Sequence, residues 1–158
     1  DRDDLPDLGA AHWAETIREI KRLNPSTTIE ALIPDFQGNV SLINMVTNTH
    51  PEIVSHNIET VRRITPLVRS VATYECSLKV LKTIAESGIT AKSGLMVGLG
   101  ETPEEGMIAK ILCHFQVGFA VFALWWTIKS GNFLSGDLPI QFFNCLDFFR
   151  KGFHCRNL

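Results

Sequence analysis

The sequence is poor in the features that usually announce a chemistry. Four cysteines occur in 158 residues, at positions 76, 113, 145 and 155. None has short metal-ligand spacing: the nearest pair, Cys145 and Cys155, is separated by nine residues, and His154 beside Cys155 does not repair the pattern. No metal site is therefore assigned to them, and a reduced, intracellular setting fits better than a disulfide scaffold. There is no basic run and no aromatic ladder, and a formal net charge of -2 with pI near 6.2 argues against a nucleic-acid surface. No signal peptide is visible.

The most informative segment that is present runs from Lys92 to Glu105, KSGLMVGLGETPEE. Leu95, Met96 and Val97 read as a buried strand. Gly98 and Gly100 follow, permitting positive backbone angles and close approach of a ligand to the main chain. Thr102, Pro103 and Glu105 then spell a helix start: a capping residue, a proline at the first helical position and the acidic partner of a capping box. A helix N-terminus would face whatever the glycines admit.

Upstream, strands and helices alternate. Ala10, Trp13, Ala14, Ile17 and Ile20 recur at helical spacing, and Asn24-Pro25 stops that helix before a β-rich run from Thr28 to Ile33. A helix is predicted from about Asn39 to Asn48, with Val40, Ile43 and Val46 on one face, then a strand at Ile53 and Val54. A polar connection through Arg69 leads to a helix over Tyr74 to Ser87, buried along Leu78, Leu81 and Ile84 or Ala85 and ended by Gly88. This order predicts an α/β fold of parallel βα units. Polar motifs follow each strand: Pro34-Asp35-Phe36-Gln37, His56-Asn57-Ile58-Glu59 and Gly98-Leu99-Gly100-Glu101. Their common edge is the expected site, because ligands collect at the carboxyl ends of parallel strands.

Four segments carry a resemblance to a known family: DRDDLPDLGAAHW at 1–13, IPDFQG at 33–38, HNIETV at 56–61 and Lys92 to Thr102, with Val68-Arg69 and Tyr74-x-x-Ser77-Leu78 between them. In order and spacing residues 1–106 resemble lipoyl synthase, a radical S-adenosylmethionine enzyme family. Leu8 departs from the pattern, standing where the family usually has the first of two glycines. The resemblance implies a partial (β/α) TIM-type barrel of the radical S-adenosylmethionine kind, truncated at both ends, since a closed barrel takes about 250 residues. It implies insertion of two sulfur atoms, at C6 and C8 of protein-bound octanoyl groups, using S-adenosylmethionine and two [4Fe-4S] clusters. The partners implied are an octanoylated lipoyl domain or glycine-cleavage H-type protein and an electron donor. The family's cysteine triplets, CxxxxCxxxxxC and CxxxCxxC, and its terminal Arg-Ser-Ser-Tyr do not occur in this sequence. The chain alone is therefore expected to be inactive, and no catalytic or metal-ligating residue is assigned. The motif spelling is bacterial, which points to the cytoplasm, with mitochondrion or plastid open for the family.

By the same resemblance, Asn57 and Glu59 are expected at the cofactor's ribose, Glu59 accepting both hydroxyl protons if the segment is extended there. Read from the residues alone, Asn57 starts a turn that caps the next helix. Gly98, Gly100 and Glu101 match the family's adenosylmethionine segment. Lys92 either sets a cation near a carboxylate of the cofactor site or is solvated. Arg69 either holds an anionic or carbonyl group of cofactor or substrate, or is simply exposed. The cluster Asp1, Arg2, Asp3 and Asp4 orders the cavity by an ion pair or forms a solvated turn. His56 reads as a satisfied core histidine, and Cys76 as a small packed side chain.

After Gly106 the resemblance stops, giving two expected domains, 1–106 and 107–158. Nine of the 10 phenylalanines but only 7 of the 32 charged residues lie beyond residue 106. Ile111 to Ile128 is an apolar run that, as a helix, would reach roughly 27 Å, barely a membrane span. The tail has three readings: sequence unrelated to the preceding fold, a divergent buried segment, or a membrane-associated one. An aromatic-rich end at Phe142, Phe143, Phe148, Phe149 and Phe153 would be a sticky surface without a core to enter. The alternative to the enzyme is a non-catalytic interaction or membrane-associated protein built from a barrel remnant and an apolar tail.

Overall fold

The computed structural model describes residues 2, 4–109 and the backbone of 120–126. Residues 127–158, with the aromatic-rich end, and Cys113, Cys145 and Cys155 lie outside the described residues.

Helix α1 (Ala10–Leu23) is set up by a tight turn in which Leu8 and Gly9 both take left-handed angles, φ 53° and 84°. The position where a non-glycine residue is out of pattern is thus one where glycine would be relaxed. The Asp7 carboxylate accepts from the Gly9 and Ala11 N–H groups at 3.1 and 2.9 Å and covers the open donors of the first turn. Ala10, Ala14 and Ile17 form the buried stripe, and Lys21 and Arg22 sit in the last turn, where cations suit the helix dipole.

Helix α2 (Val40–Thr47) starts at Asn39, whose side chain accepts from Ser41 N–H; α4 (Tyr74–Glu86) starts at Thr73, whose hydroxyl accepts from Cys76 N–H. Ile43, Val46, Leu78, Leu81 and Ile84 are buried as their spacing predicts. Val40 is not: it is 43% exposed, one turn too close to the helix start to reach the core. Between the second strand and α4, where the sequence predicts an irregular polar connection, lies the four-residue helix α3 (Thr65–Val68), with Pro66 in its first turn. Residues 103–109 are helical and follow the Thr102 cap.

The strands are β1 (Glu30–Leu32), β2 (Ile53–Ser55), β3 (Thr90–Val97) and β4 (Ala120–Trp126), all parallel and in sequential order. Ala31, Val54 and Ala91 stand in register across the sheet and are buried in one cluster with Ile17, Ile43, Leu81 and Ile84, so this face carries the helices. Fully burying each of the valine, leucine and isoleucine side chains contributes about 1.5–3 kcal/mol. The period-2 alternation turns Glu30, Leu32, Ser55 and Lys92 to the opposite face, where Leu32 is 53% exposed. The described residues therefore form an α/β unit with one helix-covered face. The backbone at 120–126 is a strand paired with β3, so a continuous helix from 111 to 128 is not what forms. Among the described residues no helix is long and apolar enough to cross a membrane.

Candidate functional site

A cavity of about 620 Å³ opens beyond the carboxyl ends of β1 and β2. Asp35, Gln37, His56, Asn57, Glu59 and Arg69 supply its polar lining, and Leu32 and Val71 part of its apolar wall. Two of the three polar motifs that follow strands, together with Arg69, thus meet in one space.

Asn57 and Glu59 are held there by β3. After leaving β2 the chain pairs with β3 a second time, Glu59 N–H donating to the Gly94 carbonyl at 3.2 Å and Met96 N–H to the Glu59 carbonyl at 2.6 Å. Glu59 itself takes φ 63°, so the segment is not extended at that residue as the ribose expectation required; both side chains nevertheless line the cavity. The Asn57 side chain packs on Gly94: a Cβ placed there would lie 2.8 Å from Asn57 Oδ1. Asn57 does not start a helix, since the next one, α3, begins after Ile64.

His56 is 4% exposed and satisfied at both ring nitrogens, Nδ1 at 3.0 Å from the Ile33 carbonyl oxygen and Nε2 at 3.0 Å from Ser77 Oγ. The carbonyl can only accept, so Nδ1 carries the proton and Nε2 accepts from the Ser77 hydroxyl. Burial, with the Arg69 charge adding to it, pushes the imidazole below its ordinary pKa and keeps it neutral. Ser77 Oγ in turn accepts from Arg69 Nη1 at 2.9 Å. Arg69 is half-buried and, alone among the arginines of the described residues, has no carboxylate partner.

The remaining candidates are not among the residues that line the cavity. Lys92 does meet a carboxylate, but the chain's own: its ammonium donates to both Glu30 oxygens at 2.7 and 2.8 Å, and Ser55 Oγ donates to Glu30 Oε1 at 2.7 Å. Burial alone would raise the Glu30 carboxyl; the bonds from Lys92 and Ser55 outweigh it and hold the group below its ordinary value. Gly98 and Gly100 take φ 97° and 105°, and the Glu101 carboxylate closes their turn by accepting from Gly98 N–H at 2.5 Å and Leu99 N–H at 2.9 Å. Arg63 ties this turn down, donating to the Gly100 carbonyl at 2.9 Å and, in a two-point pair, to Glu105 at 2.8 Å. The capping box forms: Glu105 N–H donates to Thr102 Oγ1 at 3.3 Å and Thr102 N–H to Glu105 Oε2 at 2.8 Å.

Cys76 is not simply packed away. It is half-buried at the cavity wall, its thiol directed at Asp35 Oδ2 at 3.8 Å, and burial together with that carboxylate pushes its pKa up. Arg2 pairs with Asp4 at 2.8 Å, both exposed, which makes this a solvated turn; Asp1 and Asp3 lie outside the described residues. Among the described residues no group of three or more His, Cys, Asp or Glu side chains is placed to hold a metal ion. An iron–sulfur cluster therefore does not fit them.

The chain is similar to lipoyl synthases. It is 73% identical to that of Bacteroides fragilis strain YCH46 over 105 residues, 66% of this chain and 36% of that protein. With the Bacteroides thetaiotaomicron lipoyl synthase the identity is 70% over 105 residues, 66% of this chain and 37% of the relative. With that of Porphyromonas gingivalis strain W83 it is 61% over 106 residues, 66% of this chain and 38% of the relative. The chain thus spans little more than a third of the length of the curated relatives it matches. No protein-family model matches it.

Proposed function

We propose, from a chain whose matched 105 residues are homologous to the lipoyl synthases, that the cavity beyond β1 and β2 is an S-adenosylmethionine site. The parent activity is then sulfur insertion at C6 and C8 of protein-bound octanoyl groups. The single observation that carries this reading is the convergence of Asn57, Glu59 and Arg69 on one cavity at the carboxyl ends of parallel strands. S-adenosylmethionine held there by Asn57, Glu59 and Arg69 would supply radical chemistry at an unreactive carbon, given one electron from an external reductant.

The chain's own residues bind and orient. Glu59 accepts the ribose hydroxyl protons, Asn57 fixes the sugar from beside Gly94, and Arg69 holds the anionic end of the ligand. Gly98, Gly100 and Glu101 form the turn that flanks the adenosine, with Glu101 acting through the turn's own N–H groups. Lys92 acts at one remove, neutralising Glu30 on the helix-free sheet face. The α/β unit is a segment of a (β/α) barrel in which residues 1–106 carry the family's motifs and 107–158, a second part in sequence, contribute β4 to the same sheet. Octanoylated lipoyl domains or H-type proteins are the substrates and a reductant the further partner, in the cytoplasm. The 158-residue chain alone, without cysteine triplets in its sequence, does not complete the reaction.

The test is calorimetric titration of the chain with S-adenosylhomocysteine and its 2′-deoxyribose analogue. Saturable binding of the first, weakened for the analogue in the wild type but not in Glu59→Ala, supports the ribose assignment. Equal binding of both by the wild type overturns it.

A further inference from the structure

We propose that Ser77 and His56 are positioning residues that aim the Arg69 guanidinium into the cavity. This inference rests on the reading of the cavity as a ligand site and adds a buried device that sets one of its walls. Arg69 lies between α3 and α4, in a segment flanked by the exposed Val68 and Val71, 46% and 88% accessible. The Arg69 N–H donates to the Thr65 carbonyl at 2.9 Å, which fixes the main chain but leaves the direction of the long side chain open. The hold comes from below. Arg69 Nη1 donates to Ser77 Oγ, Ser77 donates to His56 Nε2, and His56 Nδ1–H donates to the Ile33 carbonyl at the end of β1.

The direction of every proton in this relay is fixed. Arginine only donates and a carbonyl only accepts, so the serine must pass its single hydrogen to the imidazole. Ser77 is fully buried, and the His56 backbone N–H is itself tied to the Lys92 carbonyl at 3.0 Å, so the far end is anchored to two strands. The guanidinium has five N–H donors and spends one on Ser77, leaving its remaining fork for a planar anion such as a carboxylate. No carboxylate of the described residues takes that place.

Two probes separate positioning from general support. S-adenosylhomocysteine carries an amino-acid carboxylate; 5′-methylthioadenosine has the same nucleoside without it. In calorimetric titrations of the 158-residue chain, Ser77→Ala is expected to weaken S-adenosylhomocysteine roughly tenfold while methylthioadenosine binding stays within twofold. Arg69→Ala should show the same selectivity. His56→Gln, which can present an acceptor near the Nε2 position, should retain most of the affinity, and His56→Asn, which cannot reach Ser77, should not.

Selective loss with Arg69→Ala but none with Ser77→Ala overturns the relay and leaves the site reading standing. No selectivity with Arg69→Ala removes the anionic contact, and the relay with it. Equal weakening of both probes by Ser77→Ala means a merely structural serine and also overturns the proposal. A ligand-free measurement stands beside these: nitrogen NMR of the imidazole should show Nδ1 protonated and Nε2 bare in the wild type, with the Nε2 signal moving in both Ser77→Ala and Arg69→Ala. An Nε2–H imidazole contradicts the relay outright.

Discussion

Asn57 occupies the space that a side chain at position 94 would need, its Oδ1 lying 2.8 Å from where a Cβ on Gly94 would stand. Gly94→Ala therefore has to displace the carboxamide. The clashing atom is the tip of a mobile side chain, so the displacement is cheap for the fold. Stability is expected to change by less than about 1 kcal/mol, because the lost fit is partly offset by a less flexible unfolded chain. Binding of adenosine-containing probes should fall at least fivefold. Denaturant melts and calorimetry on the same sample check both halves.

His56 predicts how stability depends on pH. Its folded pKa lies below the ordinary value of 6.5. As pH falls through that value, the unfolded chain takes up a proton that the folded one refuses, so stability is constant above 6.5 and declines below it until the lowered folded value is reached. His56→Gln should remove this decline. A second loss should follow at lower pH from Glu52 and Glu105, both held at about 2 against an ordinary 4.5, the first by Lys21 and the Ile29 N–H, the second by Arg63 and the Thr102 N–H. Their stabilisation is present above 4.5 and disappears as pH falls toward 2. Urea midpoints across this range, wild type against His56→Gln, measure it.

Thr102→Ala removes the hydroxyl that accepts from Glu105 N–H and should cost about 1 kcal/mol. The Arg63–Glu105 pair is largely exposed, so Arg63→Ala should matter less, and less again at high salt. Chemical denaturation at two ionic strengths separates the two contributions.

What could be read in the sequence was mostly local. The Thr102-Pro103-Glu105 helix start and the apolar face of α4 are encoded within a turn or two of themselves and form as spelled; the α1 face forms through Ala10, Ala14 and Ile17, while Ile20, expected on it, is 37% exposed. Parallel βα units followed from alternation for β1 to β3, whereas β4 falls in the apolar run 111–128, where no strand was expected. The relay of Arg69, Ser77 and His56 was not legible, because it joins a loop, a helix and a strand end up to 21 residues apart, and pattern carries no information about which polar groups meet. Gly98 and Gly100 drew attention as places where a ligand could approach the main chain; among the described residues a Cβ at Gly100 would meet Ile64 Cδ1 alone, at 4.0 Å. Its positive φ is what requires glycine. Gly94 is the glycine crowded most tightly among the described residues, by Asn57, and a glycine inside a strand was the signal that could have found it. The ribose reading of Glu59 was conditional on an extended segment; Glu59 instead takes φ 63° where the chain pairs with β3 a second time.

A nucleoside cofactor is expected to bind where the parallel strands end. The most direct measurement is amide NMR of the isotopically labelled chain titrated with S-adenosylhomocysteine. Shifts are expected to concentrate at Asp35–Gln37, His56–Glu59, Arg69 and Gly94–Glu101, with the outer faces of α1 and α2 unmoved. Shifts spread over the helical face, or none at a saturating concentration, would contradict it.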